Sequence, residues 1–185
     1  MSNKLNLLLA MPSMADNLFK KSVILLVEDD NKGSMGFAIN ILTGKCLKDV
    51  VSQIEPEKMV DFYNSPILVG GPIKTDFLWV IHDAEKKYAS SLNIFGEVFL
   101  SAGQDIIPDI LTSEAPEVLA MGVGYSGWSE GQLDDEISQG SWWKLEETDV
   151  DVFGTQTELI WDEAIKKIGI DLKNYVDEPE NGMLN

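Results

Sequence analysis

The segment Ser22-Val23-Ile24-Leu25-Leu26-Val27 sets the tightest constraint on how this chain of 185 residues can fold. After Ser22 every position is apolar, and two are β-branched valines flanking an isoleucine and two leucines. As a strand it has no polar face, so it must be covered on both sides and lie in the centre of a sheet. The neighbouring sequence supplies partners. Leu5 to Ala10 reads as a buried strand broken by Pro12-Ser13, and Asp16 can cap a short helical turn ending near Lys20. Glu28 to Gly33 reads as a turn and Gly36 to Ile41 as the returning strand of a hairpin. Further strands are expected at residues 67–69, 77–82, 98–101 and 118–121, and from Trp142-Trp143 onward.

Helical spacing separates these strands. Leu47, Val50, Val51 and Ile54 fall at i, i+3, i+4 and i+7, ahead of Pro56. Ile106, Ile107, Ile110 and Leu111 form a second stripe, with Asp105 as its cap and Pro108 in the first turn. Ser129-Glu130-Gly131-Gln132 and Thr155-Gln156-Thr157-Glu158 have the spacing of capping boxes. The second opens a helix with Ile160, Ala164, Ile165 and Ile168 on one face and Gly169 as its stop. Hairpins mixed with crossovers predict an α+β or mixed α/β fold, a sheet covered by several short helices. Residues 1–174 are expected to form one globular domain. Residues 175–185, with Asp177-Glu178-Pro179-Glu180, are expected to form an acidic, mobile tail.

Composition narrows the function classes. The formal charge is −17, and all 14 basic residues are lysine. Without a guanidinium the chain lacks the bidentate reader of phosphates and bases, and a pI near 4.2 argues against direct nucleic-acid binding. One cysteine, Cys46, and one histidine, His82, can make neither an internal disulfide nor a four-ligand Cys/His zinc site. The charge is lopsided: residues 1–92 carry 10 lysines against 11 acids, residues 93–185 only 4 against 20. The expected location is the cytoplasm, with no membrane association, because the N-terminal apolar run is too short for a signal peptide and nothing approaches a spanning helix.

Several motifs resemble catalytic or cofactor signatures. Gly122-Val123-Gly124-Tyr125-Ser126-Gly127 matches G-x-G-x-x-G between an expected strand and helix. The acids Glu130, Asp134, Asp135 and Glu136 would repel a pyrophosphate there, and Trp128 adds bulk after the third glycine. The run therefore reads as a tight strand-to-helix turn. Gly124-Tyr125-Ser126-Gly127-Trp128 is a nucleophile elbow with its last glycine replaced by Trp128, which an elbow does not tolerate. Cys46 opens a helix, a position that can lower a thiol pKa, and His82 is the one side chain whose ordinary pKa lies near neutrality. Gly70-Gly71-Pro72 could approach an anion through its amides but lacks P-loop spacing. Neither Glu28-Asp29-Asp30 nor Asp134-Asp135-Glu136 has calcium-loop spacing.

These segments together resemble the YqgE/AlgH family of bacterial proteins. The resemblance rests on Ala10 to Asp16 with Phe19 and Ser22, Gly33 to Asn40, Leu68 to Pro72, Val80 to His82, Asp105-Ile106, Gly124 to Trp128 with Gly131 to Leu133 and Glu136, Trp142, and the closing helix. It spans about residues 5–171. It implies a branched mixed sheet forming a flattened, barrel-like body with short helices around it, and no assigned activity. One branch of the family carries a name as a transcriptional regulator of alginate synthesis. No catalytic residue carries over. This chain departs from the family pattern at Asp29, Phe77-Leu78-Trp79, Gln104 and Gly122, losing arginines from two of those places.

The expectation is thus a non-enzymatic regulatory protein that binds a small molecule or a protein, with no cofactor and no metal. The candidate ligand-binding residues are Asn40, Gly70, Gly71, Pro72, His82, Asp105, Gly127, Trp128 and Gln132, taken as one site at neighbouring strand ends. The alternative is a hydrolase using His82 with Asp105 or Glu28 as acid–base partner.

Overall fold

The structure is a computed structural model that describes residues 5–50, 64–112, 114 and 116–172. The ten strands among these are β1 (Leu5–Ala10), β2 (Val23–Asp30), β3 (Gly33–Ala38), β4 (Leu42–Cys46), β5 (Pro66–Val69), β6 (Ile73–His82), β7 (Leu92–Phe95), β8 (Val98–Ala102), β9 (Val118–Ser129) and β10 (Trp142–Thr148). The helices are α1 (Leu47–Val50), α2 (Gly103–Thr112), α3 (Gln132–Ser138) and α4 (Ile160–Lys167). The strands form a mixed, mainly antiparallel sheet in the order β10-β1-β2-β3-β9-β6-β8-β7, with β4 and β5 branching from β9. Its two ends do not pair with each other, so the sheet is open.

β2 lies between β1 and β3, and Val23 to Leu26 of its apolar run are buried on both faces as its composition requires, with Val27 half-buried. Alternation then sorts the side chains. Leu7, Leu9, Val23 and Leu25 join Phe37, Trp79 and Ile81 in a core covered by α4 through Ile160, Trp161, Ala164 and Ile165. Leu8, Ala10, Ile24 and Leu26 point the other way, onto Trp128, Trp142 and Leu133 of α3. Farther along that sheet, Val80 and Met121 pack with Ile106 and Ile110 of α2.

β9 is the longest strand and joins the two halves. Its first part pairs antiparallel with β6 and parallel with β5, and its last four residues pair with β3. The change of partner falls at Gly124, whose φ of +71° is a left-handed conformation. There the backbone of β9 runs against Gly71, and a Cβ on Gly124 would collide with the Gly71 carbonyl oxygen. The buried Trp79 indole donates to the Gly124 carbonyl at 2.8 Å, locking this crossing from below.

This arrangement corrects several sequence expectations. Gly122 to Gly127 is strand interior rather than a strand-to-helix turn. The helix begins only at Gln132, so the glycine run presents no free helix terminus to a phosphate. β2 continues through Glu28-Asp29-Asp30, leaving only Asn31-Lys32 as the turn. Asp16 does order its turn, accepting from the Leu18 N–H at 2.8 Å, but no helix follows. Asp105 lies inside the first turn of α2 rather than capping it. The capping boxes also close differently. α3 has Gly131 as its N-cap, and Gln132 Oε1 instead reaches back to the Ser129 N–H at 3.1 Å. A 3-10 turn at Thr157–Leu159 precedes α4 with no side-chain cap. Gly169 stops α4 as expected, with φ +73°. β4 and β7 have no counterpart among the expected strands. Val51 and Ile54 of the first helical stripe, and the whole expected tail at 175–185, lie outside the described residues.

Replacing Gly124 by alanine adds both a left-handed L-residue and a clash with backbone. Gly124→Ala is expected to cost about 2–4 kcal/mol, read as a lowered urea midpoint with an unchanged slope.

Candidate functional site

Trp128, near the end of β9, and Trp142, opening β10, meet edge to face with ring centroids 6.1 Å apart. Phe19 packs edge-on against Trp142 at 5.6 Å. α3 sets a carboxylate beside them. Gln132 and Glu136 are one helical turn apart and so share a face, and Gln132 Nε2 donates to Glu136 Oε1 at 2.9 Å. The other carboxylate oxygen, Oε2, accepts from both indoles, Trp128 Nε1 at 2.9 Å and Trp142 Nε1 at 2.8 Å. Glu136 therefore ties β9, α3 and β10 together. Above this junction lies a hollow of about 410 Å³ lined by Met14, Asp16, Phe19, Pro72, Trp128 and Gln132, among others.

The structure divides the nine candidate residues. Pro72, Gly127, Trp128 and Gln132 line the hollow. Gly70 and Gly71 are not among its lining residues, and Gly70 O accepts from Ser126 Oγ at 3.2 Å and from the Ala38 N–H at 2.9 Å. Ser126 is buried and its hydroxyl held in the sheet, so the elbow-like motif presents no exposed nucleophile. Asn40 clamps the entry to β2, accepting from the Val23 N–H at 2.7 Å and donating to the Lys21 carbonyl at 2.8 Å.

His82 and Asp105 lie elsewhere. His82 pairs with Val118, at the opposite end of β9 from Gly127. Val118 and Gly127 are nine steps apart along the strand, up to about 30 Å at the usual rise. The single site joining His82 to Gly127 and Gln132 is thus replaced by two regions. Around His82, Ser101 Oγ lies 2.8 Å from Nε2 and the Asp83 carbonyl 2.7 Å from Nδ1. Ser101 Oγ also bonds Ser91 Oγ at 2.7 Å, and Asp105 accepts from the Ser90 N–H at 3.1 Å. Both ring nitrogens are thereby engaged by groups other than carboxylates. The imidazole is fully buried, between an edge-on Tyr88 and a stacked Phe99. Burial pushes its pKa down, while the Asp83 carbonyl and charge act in the opposite direction. Cys46 also departs from expectation. Its thiol donates to Asp49 at 3.1 Å, and that bond raises its pKa instead of lowering it.

Glu136, Met14, Phe19 and Trp142 were absent from the candidate set. The signal that could have found Glu136 is its i, i+4 spacing from Gln132, on a helix opening just after Trp128. Its bonds to two tryptophans 14 residues apart have no sequence signature.

This overall fold matches solved structures. The solution structure of the AlgH protein from Pseudomonas aeruginosa matches with a TM-score of 0.74 at 31% identity, over 98% of this chain and 97% of that one. A Corynebacterium diphtheriae protein shares the fold at a TM-score of 0.69 and 19% identity, over 94% of this chain and 91% of that one. The AlgH-like family model matches residues 7–173, and the chain belongs to that family. A UPF0301 protein of Photobacterium profundum is 36% identical over 172 residues, 90% of this chain and 92% of the relative. One from Vibrio cholerae is 35% identical over 168 residues, 88% and 90% of the two chains.

Removing the carboxylate at position 136 strands two partly buried indole N–H groups. Glu136→Leu is expected to lose about 2–3 kcal/mol in urea unfolding, against about 0.5 kcal/mol or less for exposed Glu130→Leu. His82 gives a pH signature. The folded chain favours the neutral ring, whereas the unfolded imidazole holds its proton up to about pH 6.5. This contribution to stability is complete above pH 6.5 and is lost as pH falls below it, at no more than about 1.4 kcal/mol per pH unit. Urea midpoints of His82→Asn are expected to lack that slope.

Proposed function

We propose that this protein is a non-enzymatic, cytoplasmic binding protein that takes a small molecule into the hollow beside Trp128 and Trp142 and acts in regulation. The observation that carries this reading is the hollow itself. Its volume of about 410 Å³ falls within the range of roughly 300–1,000 Å³ usual for ligand sites. It combines aromatic walls with a few fixed polar groups, and four residues chosen from sequence alone line it. Glu136 holds both indoles in place, so the walls are organised before any guest arrives, which lowers the entropic cost of binding. The absence of arginine and the charge of −17 favour a small guest over nucleic acid. Regulation is the part of the reading that rests on the family resemblance. Among the described residues, no helix is long and apolar enough to cross a membrane.

A compound screen followed by the indole N–H resonances tests this. Binders are expected to shift Trp128 and Trp142 while leaving Trp79 and Trp161, which donate to the Gly124 and Ala10 carbonyls, unchanged. Ala15 is exposed at the edge of the hollow, and Ala15→Trp is expected to weaken such binders by about tenfold or more. Hits that shift Trp161 instead would move the site to the hollow of Met11, Pro12, Lys20 and Lys21, and overturn the reading.

A further inference from the structure

We infer that residues 83–91 form a pH-sensitive strap, closed over neutral His82 and released when the ring takes up a proton. The strap joins β6 to β7 and is bonded to β8 and α2. Glu85, Lys86, Lys87 and Ala89 are exposed, and Tyr88 is its one large side chain turned inward, edge-on to His82. With so little apolar burial the strap depends on polar bonds, the mark of a segment that opens locally. Tyr88 Oη donates to Asp109 Oδ2 at 2.7 Å, and Lys86 pairs with the same carboxylate. The Ser90 N–H donates to Asp105 at 3.1 Å, and Ser90 Oγ accepts from the Ala102 N–H at 3.0 Å. The remaining bonds run through His82.

Their hydrogens have one direction. The Asp83 carbonyl can only accept, so Nδ1 carries the hydrogen and Nε2 of the neutral ring accepts. Ser101 then donates to Nε2, Ser91 donates to Ser101 Oγ, and the Tyr88 N–H donates to Ser91 Oγ at 2.7 Å. A proton on Nε2 reverses this order. Ser101 must accept from the ring and turn its hydrogen to Ser91. Ser91 Oγ then accepts twice, and its own hydrogen is left without a partner in the series. The same step places a charge on a fully buried ring whose two bonded partners are both uncharged.

Charged groups face the ring from several elements. On the strap, Asp83 attracts a protonated ring, with its Oδ1 held by the Glu85 N–H at 3.2 Å. Lys86 and Lys87 oppose it: their Nζ atoms lie 5.6 and 4.6 Å from the ring centroids of Tyr88 and Phe99, which enclose His82. On α2, Asp109 is engaged by Tyr88 and Lys86, and Asp105 by Ser90. β8 carries no charged residue, and Glu117 precedes β9 with its carbonyl bonded to the Asp83 N–H at 3.1 Å. Opening the strap takes both lysines away from the ring and brings water to it. The open imidazole holds its proton up to about pH 6.5, whereas burial in the closed strap favours the neutral ring. The strap is therefore closed above about pH 6.5 and opens as pH falls below it.

Amide hydrogen exchange of the full chain, read by NMR as protection factors from about pH 7.5 down to about pH 5, tests the strap. Protection at Tyr88, Ser90, Ser91 and Ala102 is expected to fall by up to about tenfold per pH unit below about pH 6.5. That exchange is expected to be insensitive to low urea, as local opening is, while exchange in β1 and β2 quickens with urea. His82→Gln offers Ser101 an acceptor and takes up no proton, so its strap protection is expected to stay level over the same range. A fall in His82→Gln equal to that of the natural chain would overturn the inference. Strap exchange as urea-sensitive as that of β1 and β2 would overturn it too, since the proton would then act on the whole fold. The natural chain decides even if the variant does not fold: a loss of strap protection that begins only below about pH 5, where carboxylates titrate, would assign the opening to Asp105 and Asp109 instead of His82.

Discussion

The contact of Gly71 against Gly124 is the constraint on which the rest of the structure depends. Two backbones approach there closely enough that a Cβ on Gly124 has no room. That approach lets β9 leave β5 and continue alongside β3, so one strand serves both halves of the sheet. If β9 ended at Gly124, Trp128 would not reach α3, and the hollow beside Trp142 would lose a wall. Trp79 fixes the crossing through its bond to the Gly124 carbonyl, itself packed edge-on against Phe37 at 5.1 Å. The glycine-rich segments that looked like cofactor loops are therefore joints between strands.

Glu136 plays the corresponding part at the surface. A partly buried carboxylate is costly to desolvate unless its lone pairs are satisfied. Here three N–H donors from three elements converge on it, so its burial and the orientation of both indoles become one cooperative feature. The acidity of the second half of the chain, which reads in sequence as a solvated face, thus contains at least one carboxylate with a structural task. His82 is the converse case. It is the residue sequence reasoning reaches for first as acid or base, yet it is buried among Tyr88, Phe99 and Ser101, with both nitrogens engaged.

Much of the fold was legible because short-range patterns carry it. The apolar run at Val23 to Val27 requires two covering layers, and the Ile160–Ile168 stripe requires a helix ending near Gly169. The family resemblance added the branched sheet. β4 and β7 escaped because their residues are half exposed and weakly patterned, leaving neighbours rather than composition to pair them. The capping boxes misled for a related reason. Gly131 in a left-handed conformation caps α3 through its backbone, and the Ser129 and Gln132 side chains bond each other instead.

Of the candidate site, sequence identified four residues of the hollow but placed them with His82. Glycine runs and a lone histidine mark chemical possibility without stating distance, and only the register of β6 against β9 sets His82 at the far end of the strand. What the sequence determined by itself was the class of fold, the family, and a strongly acidic chain without a guanidinium. These follow from periodicity, motif order and composition, which are properties of the chain in one dimension. What the tertiary structure alone decided was which side chains meet. Trp128, Glu136 and Trp142 converge because three separate elements cross at one corner of the sheet. That convergence depends on a backbone bend at Gly124, whose partner, Gly71, lies more than fifty residues away in the chain.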